Sequence, residues 1–293
     1  MPNYNQLYKD MFDNPKNYPG KSYHANGYFN KCPIFIGGSG RSGTTIVARA
    51  LSQHPKTLNF VEVRFILSFK KYPNLKDRLQ PFYEHDKTYE KVTRGLRVAG
   101  YRDAEKVYSR QVLENICSND AATATKRFFE IGLKAWKKSV TIEKTPHTFL
   151  VADILYKIFS NLRYIHVFRD PRDVFASVKP LGWGPNDAEN FVEWYNNLMG
   201  KAYKIKKNVP NRNYLIVRFE DLVYNKDIEL PRIFKFVNLK YNKNYAKLIT
   251  RENAHIKRFG NELLGKEVDT VWNGCRKEYI KWQKLYRKEK NVS

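Results

Sequence analysis

Residues 33 to 54 constrain the fold of this chain more than any other stretch. Pro33 to Ile36 is a short apolar run. Gly37, Gly38, Gly40 and Gly43 follow, and Ile46, Val47, Ala50 and Leu51 then recur at helical spacing. Four apolar residues closed off by glycines read as a buried strand. Glycine enters backbone conformations that other residues avoid, so the loop can curl with its N–H groups turned inward. Strand, glycine loop and helix in this order make an anion cradle at the positive end of a helix dipole.

Gly38-Ser-Gly-Arg-Ser-Gly43-Thr44-Thr45 has the glycine spacing of a Walker A loop, but Thr44 stands where that loop has its lysine. The cation sits inside the loop instead, as Arg41. This substitution speaks against binding the β- and γ-phosphates of ATP in the usual way. The stretch is a phosphate loop of another kind.

The rest of the chain alternates strands with helices. Residues 57–61 read as a second strand delivering Glu62 and Arg64, and 103–138 as helical, interrupted at Asn119-Asp120. Val140 to Ile142 is a short strand ending in Glu143-Lys144-Thr145-Pro146, with a helix over 147–160 after it. A strand over 162–168 runs into Arg169-Asp-Pro-Arg-Asp173, where Pro171 suits the first turn of a helix. A long amphipathic helix covers 187–207, a last strand 214–219 ends in Glu220-Asp221, and 229–236 is helical. This alternation predicts an α/β fold, a central parallel sheet flanked by helices on both faces. Such sheets bind ligands beyond the carboxyl ends of their strands. The glycine loop, Glu62, Glu143-Lys144 and Arg169 all follow predicted strands and should gather on one edge. The expected organisation is a single domain: an arm over 1–30, the α/β core over 31–240 and a C-terminal cap over 241–293.

Charge narrows the partners. Fifty-three Lys and Arg against 29 Asp and Glu give a formal charge of +24, which favours phosphorylated cofactors, acidic glycans or peptides, nucleic acid or anionic membrane. A solvated lysine surface accounts for the same excess. No nucleic-acid-binding motif is present. Three widely spaced cysteines, Cys32, Cys117 and Cys275, match neither a disulfide framework nor a zinc site. With a polar N-terminus and no bilayer-length apolar run, the expected setting is cytoplasmic.

Gly40-Arg-Ser-Gly-Thr-Thr45 followed by Arg169-Asp-Pro-Arg-Asp-Val-Phe-Ala-Ser177 resembles the sulfotransferases that use 3′-phosphoadenosine 5′-phosphosulfate (PAPS). The resemblance spans about residues 33 to 225. It implies that Gly40, Arg41, Ser42, Gly43, Thr44 and Thr45 hold the 5′-phosphosulfate, that Arg169 and Ser177 hold the 3′-phosphate, and that no metal is needed. Sulfuryl transfer asks for a base and for neutralisation of the departing phosphate. Glu62-Val-Arg64 is similar to a Glu-x-Arg stretch of protein-tyrosine sulfotransferases whose Glu is the base, and Lys144 looks like the strand-end lysine that stabilises the transferring sulfonate alongside Arg41. Glu143 is expected to orient Lys144 or to pair with it. His147 is the rival base, because relatives acting on phenols and steroids use a histidine. His54 closes the first helix, and His166 reads as core. Where relatives have Arg-Tyr-Glu-Asp-Leu this chain has Arg218-Phe-Glu-Asp-Leu222, so Phe219 is assigned to packing. The Arg-Lys-Gly with which many cytosolic relatives grip the 3′-phosphate has no clear counterpart here, and Lys257-Arg258-Phe-Gly260 or, alternatively, Lys266 is the candidate stand-in.

The expected partner is a hydroxyl-bearing acceptor: an anionic glycan, the tyrosine of an acidic peptide, or a small metabolite. The sequence leaves oligomeric state open, a homodimer included. A P-loop kinase and a non-catalytic polyanion-binding protein are the alternative readings.

Overall fold

The computed structural model describes residues 32–62, 99–101, 103–117, 121–250, 263 and 265–291. Its five strands are β1 (Ile34–Gly38), β2 (Thr57–Val61), β3 (Val140–Lys144), β4 (Arg163–Phe168) and β5 (Tyr214–Arg218). They form one sheet in the order β2-β3-β1-β4-β5, every pair parallel. The chain leaves β1 towards β2 on one side and leaves β4 towards β5 on the other. The crevice between the carboxyl ends of β1 and β4 is therefore the topological switch point, where open α/β sheets bind ligands.

Side chains alternate across a strand, so each face of the sheet carries its own core. Ile34, Ile36, Ile142, Ile165 and Val217 face α1 (Thr44–Ser52) and, further along the chain, α9 (Lys226–Phe236). Phe35, Leu58, Phe60, Tyr164 and Ile216 face the other layer. That layer holds α4 (Ala121–Ala135), α5 (Ala152–Ile158), α7 (Ala188–Lys206) and α10 (Gly265–Lys290). Helices on both faces of a parallel sheet match the predicted class.

Several boundaries differ from the expectation. The helical stretch over 103–138 is divided into α2 (Ala104–Val107), α3 (Arg110–Cys117) and α4; the interruption expected at Asn119-Asp120 lies outside the described residues. β3 runs on through Glu143 and Lys144 because both flanking strands continue to pair there, with Ile36 and Val61 opposite Lys144. A 3-10 turn over Pro146–Val151 precedes α5, and α6 (Pro171–Val178) starts at Pro171 with Asp170 as its cap. Phe219 ends no strand; it opens α8 (Phe219–Tyr224). Within the expected cap lies the 26-residue α10, whose Val271, Cys275, Tyr279, Trp282 and Tyr286 form one buried stripe. Near its end the Glu289 carboxylate accepts from the Ile216 amide at 3.2 Å, while Arg232 donates to the Ile216 carbonyl at 2.7 Å. These side chains occupy main-chain groups of edge strand β5 that another strand would otherwise pair with. Among the described residues no helix is long and apolar enough to cross a membrane.

Candidate active site

The glycine loop leaves β1 and enters α1. Gly43 stands at the helix start with φ 102° and gives it no side-chain cap, so the first amides of α1 lack that satisfaction. Arg41 holds a left-handed φ of 67°, unusual for a residue with a Cβ, and strain of this kind clusters at ligand-binding turns. Its Nε donates to Ser177 Oγ on α6 at 2.8 Å. The loop is thus tied to the second motif, 136 residues further along the chain. The hydroxyls of Ser39 and Ser42 are buried with no hydrogen-bond partner in the fold. Buried polar groups are normally satisfied, and donors left over on a phosphate-loop backbone suit an anion.

A Cβ at Gly43 would run into the Phe219 ring, and the φ there disfavours any L-residue. Gly43→Ala should therefore cost about 1–2 kcal/mol in backbone strain besides displacing the loop. The expected result is a lower melting temperature together with at least about tenfold weaker binding of adenosine 3′,5′-bisphosphate, read by thermal denaturation and calorimetry.

Arg169 follows β4 directly and is only 4% exposed. Burial pulls its guanidinium pKa below the ordinary value, opposed by the charges of Asp173 and Glu220. One Nη donates to the Arg41 carbonyl at 3.3 Å, across the β1–β4 crevice. Asp173 lies 3.7 Å from Nε, and Nε makes no hydrogen bond. A buried arginine at the end of β4, beside the Arg41–Ser177 contact, is the group placed to meet a second phosphate through the edge of its guanidinium.

Glu62 sits just beyond β2, also in the left-handed region with φ 55°. Its amide donates to the Lys144 carbonyl at 2.8 Å, and Lys144 Nζ donates to its Oε1 at 2.9 Å. The lysine side chain is 3% exposed and the glutamate side chain 40%. The ammonium is therefore buried while the carboxylate opens to solvent, where an acceptor can reach it. A general base must start from the carboxylate form.

Glu143 does not pair with Lys144 as expected. Strand alternation turns the two to opposite faces, and Glu143 lies beside Phe35 and Phe60 in register. Its carboxylate accepts from the Thr145 hydroxyl. Burial pushes its pKa up to about 8, against the lowering effects of Thr145 and Lys144.

The structure brings Arg41, Ser42, Gly43, Thr44 and Thr45 to the switch-point crevice with Arg169 and Ser177, and pairs Lys144, at the end of the strand next to β1, with Glu62 one strand further out. Arg64, Lys257, Arg258 and Gly260 lie outside the described residues, and Lys266 is exposed at the start of α10. His147 is buried and edge-on to Phe149. His166 is core: it bonds Tyr214 at 2.8 Å, stacks on Trp282, and burial lowers its pKa to about 3. The packing assigned to Phe219 has an unexpected location. Its ring lies against Gly43 and beneath Arg169, whose guanidinium is 4.4 Å from the ring centroid.

A profile of the sulfotransferase family matches residues 33–243. Protein-tyrosine sulfotransferase A of Caenorhabditis elegans is 26% identical over 224 residues, 74% of this chain and 53% of that protein. The protein-tyrosine sulfotransferase of Drosophila melanogaster is 22% identical over 215 residues, 71% of this chain and 38% of that protein. The chain thus spans about half the length of these two relatives, or less. The sulfotransferase domain of the Synechococcus PCC 7002 olefin synthase has the same fold, with a TM-score of 0.58 at 21% identity over 77% of this chain and 80% of that one. The family match takes in the glycine loop, Glu62, Lys144, Arg169 and Ser177 alike, and on it the chain belongs to the sulfotransferase family, as a PAPS-dependent member similar in sequence to protein-tyrosine sulfotransferases.

Proposed function

We propose that this chain transfers the sulfuryl group of PAPS to the hydroxyl of a tyrosine in an acidic peptide by a single in-line displacement. The observation that carries the proposal is the convergence at one sheet edge of two anion-binding motifs with a carboxylate–lysine pair. PAPS supplies the sulfuryl group and leaves as adenosine 3′,5′-bisphosphate. The loop amides, Ser42, Thr44 and Thr45 hold its 5′ end, and Arg169 with Ser177 holds the 3′-phosphate. Glu62 takes the hydroxyl proton on a carboxylate oxygen as the acceptor oxygen bonds to sulfur. Arg41 and Lys144 offset the charge that appears as the sulfur–oxygen bond to the phosphate breaks. The acceptor assignment is supported by the protein-tyrosine sulfotransferases among the relatives and by the charge of +24, which suits acidic residues flanking the tyrosine.

Calorimetric titration tests the cofactor half, with adenosine 3′,5′-bisphosphate in one cell and ATP with magnesium in another. The expected result is that the bisphosphate binds and that Arg169→Ala weakens it by about tenfold or more. Binding of ATP alone returns the chain to the kinase reading. Labelled PAPS with a tyrosine peptide flanked by Asp and Glu then tests the acceptor. Transfer to an anionic glycan or a small phenol in place of the peptide replaces the acceptor assignment and leaves the chemistry standing.

A further inference from the structure

Arg169 does not stand alone in the crevice. It is held from below and from behind by two consecutive residues of a different strand end. Phe219, the first residue of α8, presents its ring to the Arg169 guanidinium at 4.4 Å and to the space a Cβ at Gly43 would need. One ring therefore separates the glycine of the phosphate loop from the arginine of the second motif and touches both. Glu220 comes next, and its Oε1 accepts from the amide of Asp170 at 2.8 Å. That amide belongs to the peptide unit immediately after Arg169. Arg218 anchors the other side of the Glu220 carboxylate at 3.1 Å, and donates from the same Nε to Tyr279 of α10 at 3.2 Å. The Arg169 carbonyl accepts from Tyr195 of α7 at 3.4 Å. Main chain and guanidinium of Arg169 are thus fixed separately, by Glu220 with Tyr195 and by Phe219 with the Arg41 carbonyl and Asp173.

We propose that Phe219 and Glu220 are positioning residues that pre-set Arg169 against the glycine loop, so that the 3′-phosphate meets an arginine already in place. The ring takes up one face of the guanidinium and leaves its edge for the anion, since cation–π contact is made through the face and hydrogen bonds through the edge. The carboxylate fixes the turn between β4 and α6 by a charge-assisted bond to a main-chain amide. An arginine ordered before binding loses less side-chain freedom when the anion arrives, and the gain appears as affinity. The proposal rests on the reading of Arg169 as the 3′-phosphate group.

Its test compares adenosine 3′,5′-bisphosphate with adenosine 5′-monophosphate, which lacks the 3′-phosphate, by calorimetry on variants first shown to melt cooperatively. The ratio of the two dissociation constants isolates the 3′-phosphate. Phe219→Leu and Glu220→Ala are each expected to lower that ratio by about tenfold while the monophosphate constant stays within about twofold. Glu220→Gln retains an acceptor for the Asp170 amide and should recover most of the ratio. In an Arg169→Ala background neither substitution should lower the ratio further, because their effect acts through that side chain. Parallel weakening of both ligands, or an unmoved ratio beside a large wild-type one, overturns the proposal and leaves the function standing. A wild-type ratio near one removes the 3′-phosphate role of Arg169, and this proposal with it.

Discussion

Glu62→Gln is expected to lower kcat by about 10²- to 10⁴-fold, the contribution of a positioned general base, with little change in affinity for adenosine 3′,5′-bisphosphate. Glutamine has the shape of glutamate and still offers an oxygen to Lys144 Nζ, which donates to Glu62 Oε1 at 2.9 Å. It cannot accept the acceptor's proton. The pair stays hydrogen-bonded while the proton transfer is lost, so the variant separates chemistry from architecture. A plain truncation would not. Glu62→Ala would leave an ammonium with a 3% exposed side chain without this carboxylate, and stripping one partner from such a pair costs about 3–5 kcal/mol where burial is complete. The measurement is steady-state turnover with labelled PAPS beside calorimetry of the bisphosphate. Unchanged turnover removes Glu62 as the base. Loss of turnover in His147→Ala alone would move the role to the imidazole next to Pro146.

How far the sequence reaches is clearest at this site. Arg41 lies 128 residues before Arg169 and 136 before Ser177, yet the parallel sheet brings them together at its carboxyl edge, where Arg41 touches both. Placement after a strand predicts that gathering for the glycine loop and Arg169. Pairing inside the edge was not predictable, because it depends on which face each side chain takes. Glu143 and Lys144 illustrate the limit. The sequence puts both at the end of a strand over Val140 to Ile142, where Glu143 is expected to orient Lys144 or to pair with it. In the structure β3 continues through Lys144, alternation separates them, and Lys144 reaches Glu62 from the next strand. Phe219 was hidden for a different reason. Without the hydroxyl of its relatives it offered no polar signal, and its contact with Arg169 uses the ring face, which sequence does not display. The stripe along α10 is masked in the sequence because Val271, Cys275, Tyr279, Trp282 and Tyr286 are spread through a lysine-rich stretch.

Glu143 makes the second large prediction, and it concerns stability. Its carboxyl is fully buried, and burial raises its pKa from 4.5 to about 8. The folded protein therefore keeps a proton on Glu143 at pH values where the unfolded chain has already released it. The resulting stability is complete below about pH 4.5 and declines as pH rises, by up to about 1.4 kcal/mol per unit, until it is exhausted above about pH 8. Across that window the loss amounts to about 3–5 kcal/mol. Other groups titrate over the same range, so the difference between wild type and Glu143→Gln is the informative quantity: glutamine is neutral throughout and keeps an acceptor for Thr145. From pH 5 to pH 8, denaturant unfolding should show the wild type losing about 3 kcal/mol or more relative to the variant. A flat difference would mean that Glu143 is ionised in the fold and shares the charge of Lys144, restoring the expectation that it orients the lysine. A neutral Glu143 instead leaves the lysine's charge to Glu62 and to the phosphate that departs. On that arrangement Glu143→Gln should retain turnover at pH 6, where wild type and variant present the same uncharged group behind Lys144.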